Sequence, residues 1–398
     1  MSTALPENPP RSRVPRVLVA ALVGAVALGG GVSWAVTRPH PVTSVAGAGP
    51  IPAPVVTTVG LAAGKVPWSS PLALRVSDGT LKGVTATNPD GTSLDGDLTE
   101  SGWASTGTLL PSSSYHLVAT VLDRAGTVHR VDLTTATTAP SRTLHAVLSP
   151  GDGKVVGVGM TVIATLDRAV TTRADRAAVV QRLSVSTTPA VLGGWRWMSP
   201  TELHYRGPSY WSAGTKITAH VDFTHLQLSD GTWGEGVRDT SYSIGSSVIS
   251  TVDVTAHVMT VVVDGVLVRT VKVSTGRDKY PTKGGVHLVL EKTKLKIMDS
   301  ATVGIPRKSP DGYYEKVPDS VRISYGGAFV HSAGWSVRDQ GIRNVSHGCV
   351  NISPSDAAWF FNQVKRGDVV DVVHAAVGPK LGDPGMSDWN IAFGSWAN

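Results

Sequence analysis

Short segments of alternating apolar and polar residues, set off by turn signals, run through most of this chain. A period of two marks strands with one buried face. The pattern restricts the fold to β architectures joined by tight turns. Its clearest instance is the apolar run 258–263, the pair Asp264-Gly265 and the run 266–273. An Asp-Gly pair supplies the positive φ angles that a two-residue hairpin turn needs. The 43 Gly and 25 Pro among 398 residues fit the same reading and exclude a coiled coil or long-helix protein. A hydrophobic share of 41 % argues against wholesale disorder. At this length about two to four domains are expected.

Residues 55–142 carry strand patterns at 72–76, 115–121 and 128–133, with turns at Ser77-Asp78-Gly79 and Pro89-Asp90-Gly91. This predicts a small immunoglobulin-like β-sandwich. Residues 143–247 repeat the style, with strands at 160–166 and 216–223 and a short helix at 175–183. Their Asp230-Gly231-Thr232 loop reads as a turn, with a bound cation as the alternative. A third domain, 248–373, opens with the hairpin and continues with strands at 286–290, 294–298, 321–325 and 369–373. One helix there has Ser353 as N-cap, Pro354 at its first position, Asp356 in the capping-box place, and Lys365, Arg366 and Gly367 at its end. The expected fold is mostly β: two immunoglobulin-like β-sandwich modules, then a β-rich domain with one or two helices. Residues 374–398 form a C-terminal tail.

Residues 17–37 carry no charge and are long enough to span a bilayer as a helix. Arg11, Arg13 and Arg16 precede them, which puts residues 1–16 in the cytoplasm and the folded part outside. A single-pass plasma-membrane protein is expected, with secretion after signal cleavage as the alternative. The Pro-rich segment 38–54 reads as an extended spacer. The net charge is +6, from 36 Lys and Arg against 30 Asp and Glu. It is spread along the chain without the basic patch of a nucleic-acid binder. A mild positive balance suits an anionic wall or membrane surface. A monomer is expected.

Cys349 is the only cysteine, so no intramolecular disulfide forms and the fold rests on its cores. The thiol stands in Ser346-His347-Gly348-Cys349-Val350-Asn351, and His331 follows the strand-like Ala328-Phe329-Val330. A thiol becomes a good nucleophile as a thiolate, and an adjacent imidazole promotes that change. Gly348 lets a carbonyl substrate approach the backbone, whose N–H groups hold a developing oxyanion. The pattern points to acyl transfer through Cys349 with a histidine base. Zinc on His331, His347 and Cys349 is the weaker reading, because a structural site wants four ligands, usually with close Cys or His pairs. No metal or cofactor is expected. His40, His116 and His257 show no useful spacing.

The stretch from His331-Ser332-Ala333-Gly334-Trp335-Ser336 through Ser346-His347-Gly348-Cys349-Val350-Asn351-Ile352-Ser353-Pro354 closely resembles the catalytic motif of the bacterial L,D-transpeptidases. The resemblance covers roughly residues 248–396. It is closest to actinobacterial members with two immunoglobulin-like domains before the catalytic one. It implies that the enzyme cleaves a peptidoglycan tetrapeptide stem after its third residue, a diamino acid, and releases D-Ala. The acyl group then passes to the side-chain amine of a second stem. Peptidoglycan stem peptides of the bacterial cell wall are the implied partners, and acylation by carbapenems is implied as well. Cys349 would be the nucleophile and His331 the base, oriented by the Ser332 carbonyl, with His347, Gly348 and Cys349 framing the oxyanion hole. Ser346, Met298, Tyr313, Gly326, Gly327, Trp335 and Asn351 match substrate-contact positions, Tyr313 as a lid residue and Gly326-Gly327 as strand backbone that pairs with the stem. Gly326 stands where the family often has Ser, and Gly334 where close relatives have Pro. The tail segment Asp388-Trp389-Asn390-Ile391 resembles one that returns to pack between domains.

Two other classes are weighed against this one. A sortase-like transferase would need an Arg after the Cys, whereas Arg343 precedes Cys349. A non-enzymatic wall-binding scaffold would carry an unreactive thiol.

Overall fold

The computed structural model describes residues 51–383 and 387–396. The expected anchor 17–37, the stretch 1–16 and most of the spacer 38–54 lie outside the described residues.

The first β module has a sheet in the order Val55–Val59, Ala73–Ser77, Gly102–Ser105, Gly96–Thr99. A second sheet runs Gly79–Thr87, Ser114–Asp123, Val128–Ala136. On Ser114–Asp123 the side chains of Tyr115, Leu117, Ala119 and Val121 are buried, the period-two pattern legible in the sequence. They share one core with Leu74 and Trp103 of the other sheet.

The second module pairs two four-stranded sheets. One runs Val155–Val156, Val237–Ile244, Lys216–Asp222, Leu183–Thr188, the other Gly194–Ser199, Glu202–Arg206, Val162–Leu166, Ala146–Ser149. Its helix spans Arg173–Val180, earlier than the expected 175–183. Thr172 is the cap: its Oγ1 accepts from the Asp175 N–H at 3.1 Å and donates to the Asp175 carboxylate at 2.8 Å. Asp175 therefore sits at the third helical position rather than at the start. The core around Leu203, Ile217, Phe223 and Tyr242 extends without a break to Leu288 and Val369 of the third domain.

In the third domain a five-stranded sheet runs Val266–Lys272, Val258–Val263, Val248–Asp253, Val369–Val373, Gly285–Leu288. Asp264 and Gly265 have φ of 48° and 84°, as their hairpin turn requires. A four-stranded sheet runs Glu291–Asp299, Tyr314–Arg322, Phe329–Ser332, Val350–Ile352, its last pair parallel. Val252, Val261, Val321, Val330, Ile352 and Phe360 fill the core they share.

Three sequence expectations shift here. The strands expected at 294–298 and 321–325 are the arms of one long hairpin, Glu291–Asp299 with Tyr314–Arg322. Glu315, Lys316, Pro318 and Asp319 hide the second arm, because they break the apolar alternation. The strand expected at 286–290 is Gly285–Leu288. The helix is Pro354–Gln363, capped as expected by Ser353 on the Asp356 N–H at 3.1 Å. It stops before Lys365, Arg366 and Gly367, because Val364 turns extended to bury its side chain. Lys365 instead donates to the Ser246 carbonyl at 2.9 Å.

The tail locks the second module to the third domain. Asn390 bonds both the N–H and the carbonyl of Val286, at 2.9 and 2.7 Å. Trp389 Nε1 donates to the Gly159 carbonyl at 2.7 Å. The buried guanidinium of Arg206 lies 4.6 Å from the Trp389 ring and 4.3 Å from the Trp396 ring, and donates to the Ile391 carbonyl at 2.6 Å. Asp388 accepts from Thr161 at 2.9 Å and pairs with His204 at 2.7 Å.

Candidate active site

Parallel pairing of Phe329–Ser332 with Val350–Ile352 sets His331 opposite Asn351. Cys349 enters that last strand and thus stands beside Phe329. His331 lies inside its strand rather than at its end, and is 3 % exposed. Its Nδ1 meets the Ser332 carbonyl at 2.9 Å. A carbonyl only accepts, so Nδ1 carries the proton and Nε2 keeps its lone pair. Burial pushes this imidazole down to about 4, which the Ser332 carbonyl only partly offsets. The ring is therefore neutral at pH 7, the state a base requires.

The Cys349 thiol is directed at the Gly327 carbonyl, 3.7 Å away. Burial pushes it up to about 11, so the resting group is a thiol and not a thiolate. His347 is otherwise engaged: its Nε2 accepts from Arg277 at 2.8 Å, and its ring lies 5.0 Å from both Tyr280 and Tyr313. Burial and the Arg277 charge both lower the His347 pKa.

The Ser346 hydroxyl closes the catalytic turn, donating to the Cys349 carbonyl at 2.7 Å and accepting from the Gly348 N–H at 3.0 Å. Gly348 has φ 111°, a region L side chains rarely adopt. Its N–H is already satisfied, which removes it from the oxyanion donors expected there. The Ser346 N–H donates to the Thr275 carbonyl at 3.0 Å and the Arg277 N–H to the Ser346 carbonyl at 3.1 Å, which holds the turn from outside.

Met298, Tyr313, Trp335, Ser346, His347, Cys349 and Asn351 line one cavity of about 170 Å³ together with His331. Trp335 is exposed at its mouth, 5.9 Å from the His331 ring. The buried Asn351 amide donates to Ser336 Oγ at 3.1 Å. Gly326 and Gly327 are not strand residues. They form the turn between Tyr314–Arg322 and Phe329–Ser332. The Gly326 N–H is bonded to Ser324 Oγ at 2.8 Å and to the tail's Asp383 at 3.0 Å, so it has no free donor for a stem peptide. A Cβ at Gly326 would lie 2.6 Å from Asp383, so a Ser there would crowd it.

The comparisons with known proteins agree with this geometry. Residues 247–372 match the L,D-transpeptidase catalytic domain, and residues 63–227 match the bacterial Ig domain. The chain is 37 % identical to L,D-transpeptidase 2 of Mycobacterium tuberculosis, over 96 % of this chain and 93 % of that one. The chain belongs to the L,D-transpeptidase family. It is an acyltransferase enzyme of that kind. A solved L,D-transpeptidase in complex with imipenem has TM-score 0.52 and 34 % identity, covering 59 % of this chain and all of that one. L,D-transpeptidase 3 from Mycobacterium tuberculosis, in complex with a faropenem-derived adduct, has TM-score 0.50 and 33 % identity, covering 58 % of this chain and 97 % of that one.

Sequence reading missed the residues that hold the loop leading to Tyr313. Asp311, in the Pro-Asp-Gly turn before Tyr313, bonds Arg277 at 2.6 Å, Lys279 at 2.5 Å and the Tyr280 hydroxyl at 3.1 Å. Lys279 holds the Asp311 carboxyl below the usual range. The turn was visible in the sequence. Its partners lie over thirty residues upstream, with no local pattern to mark them. The Asp230 loop is a turn: the carboxylate accepts from the Thr232 N–H at 2.9 Å and faces Arg142 at 3.3 Å.

Proposed function

We propose that this enzyme cross-links peptidoglycan stems through a Cys349 thioester. His331 takes the thiol proton as sulfur attacks the carbonyl of the donor stem's third residue. The same imidazole gives that proton to the departing D-Ala amine. An acceptor's side-chain amine then attacks the thioester, loses a proton to His331, and leaves the third residues joined as Cys349 is released as a thiol. The N–H groups of His347 and Cys349 serve the oxyanion. Tyr313 and Trp335 cover the bound stem, and Met298 and Asn351 shape its pocket. The supporting observation is the neutral, buried His331, tautomerically fixed by Ser332 and one strand away from the only thiol.

A thiol near 11 and an imidazole near 4 call for proton transfer concerted with attack rather than a standing ion pair. A carbapenem presents a strained acyl bond to the same thiol and would be held as a thioester. Residues 17–37 anchor the chain in the plasma membrane, and the two modules carry the cleft into the cell-wall space. The test is mass spectrometry of the purified enzyme with a tetrapeptide-stem muropeptide. Loss of D-Ala with a covalent acyl-enzyme, then a stem dimer, is expected. A folded enzyme that gives neither would overturn the reading.

A further inference from the structure

The lid hairpin carries four carboxylates that differ in one respect. Glu291 is paired with Arg322 at 2.6 Å, Asp319 with Lys294 at 2.5 Å, and Asp299 with Arg307. Glu315 has no ion-pair or hydrogen-bond partner among the described residues. The register places Glu315 directly opposite Met298, and Tyr313 lies two residues before Glu315, just ahead of the strand. Met298 and Glu315 share one face of the hairpin, and with Tyr313 they line the Cys349 cavity. No Lys or Arg lines that cavity among the described residues, and its other carboxylate, Asp339, is held by Arg343 at 2.5 Å. Burial raises the Glu315 carboxyl, with no cation to offset it. The catalytic cavity thus ends in one unpaired negative group on the lid.

We infer that Glu315 is a specificity-determining residue that binds the side-chain ammonium of the diamino acid in the substrate. This rests on the transpeptidase reading, in which both stems carry such a group. On the donor the group flanks the scissile bond, and on the acceptor it is the incoming amine. A carboxylate opposite an ammonium selects for the diamino acid against neutral side chains, and the charge-assisted bond is stronger than a neutral one.

The test compares the full-length parent, Glu315→Gln and Glu315→Asp on two steps. One is D-Ala release from a tetrapeptide stem with a free or an N-acetylated side-chain amine. The other is transfer from the acyl-enzyme to an amine acceptor. The parent should prefer the free-amine donor, or show a lower acceptor KM than Glu315→Gln, by about tenfold, the size of one charge-assisted bond. Glu315→Gln should erase that margin, and Glu315→Asp should restore part of it. Loss of donor preference alone puts the ammonium on the donor. A raised acceptor KM alone puts it on the acceptor. Equal donor preference and equal acceptor KM in parent and Glu315→Gln would overturn the inference. A parent that releases no D-Ala would instead overturn the transpeptidase reading.

Discussion

His331 in the cleft and His204 under the tail are each 3 % exposed, yet they carry opposite electrostatics. His331 has a backbone carbonyl at Nδ1 and no carboxylate partner, and burial pushes it down to about 4. Burial also works against a charged His204. There Asp388 at 2.7 Å and Glu202 at 3.0 Å outweigh it and push the ring up to about 9. The buried Arg206 also faces Asp388 and loses some of its basicity to desolvation. Equal burial thus gives a proton acceptor in one place and a fixed cation in the other. The first is the state a base requires, and the second fastens the tail across the interface.

The largest effect expected from breaking this contrast is on the rate. His331→Ala should lower acylation by a factor on the order of 10²–10⁴ with the fold retained, the usual size for a positioned base. Stopped-flow acylation with a β-lactam, beside circular dichroism, reads both. An unchanged rate would move the base elsewhere. His204→Ala should act the other way. It leaves Asp388 buried with Thr161 as its remaining bonded partner and should cost about 3 kcal/mol of stability. Denaturant unfolding measures this, and the acylation rate of the folded fraction should stay near the parent's. A stable variant with a dead thiol would show that the tail histidine, and not the cleft, governs the chemistry.

The same pair sets opposite pH limbs. His204 has a folded-state pKa above its unfolded value near 6.5. Its stabilisation is complete below about 6.5 and is lost as pH rises through about 9. His331 has a folded-state pKa below 6.5. Between pH 6.5 and about 4 the unfolded chain binds the extra proton, so stability falls as the solution is acidified. Each limb is up to about 3 kcal/mol. His204→Ala should flatten the alkaline limb and His331→Ala the acid one. A limb that survives its own substitution would refute that assignment.

Much of the cleft was legible in the sequence, because its chemistry is local. Ser346 to Asn351 is one turn running straight into a strand, and His331 lies on the neighbouring strand. What stayed hidden depends on contacts between segments far apart. The His204–Asp388 pair spans 184 positions. Asp383 takes the Gly326 N–H from the tail across 57 positions. The second arm of the long hairpin, Tyr314–Arg322, was hidden by charge and proline, because its exposed faces carry no apolar alternation. The shared core with Leu288 and Val369 was invisible because it joins segments of two domains far apart in the chain. A fragment starting at residue 248 exposes those side chains and should unfold more easily than the full chain. Chemical denaturation of the two checks this, and equal midpoints would mean that the modules contribute no stability.

The smallest effect concerns Tyr313. Tyr313 lies over His347 at 5.0 Å and is only partly buried. Tyr313→Ala should cut turnover about tenfold, one aromatic contact's worth, with little change in melting temperature. A large drop in melting temperature would make Tyr313 a core residue.

The central claim is that the cleft's neutral imidazole serves the chain's single thiol. Intact-protein mass spectrometry with a carbapenem tests it most directly. One adduct should form on the parent, none on Cys349→Ala, and one only slowly on His331→Ala. An adduct on Cys349→Ala, or none on the folded parent, would contradict the account.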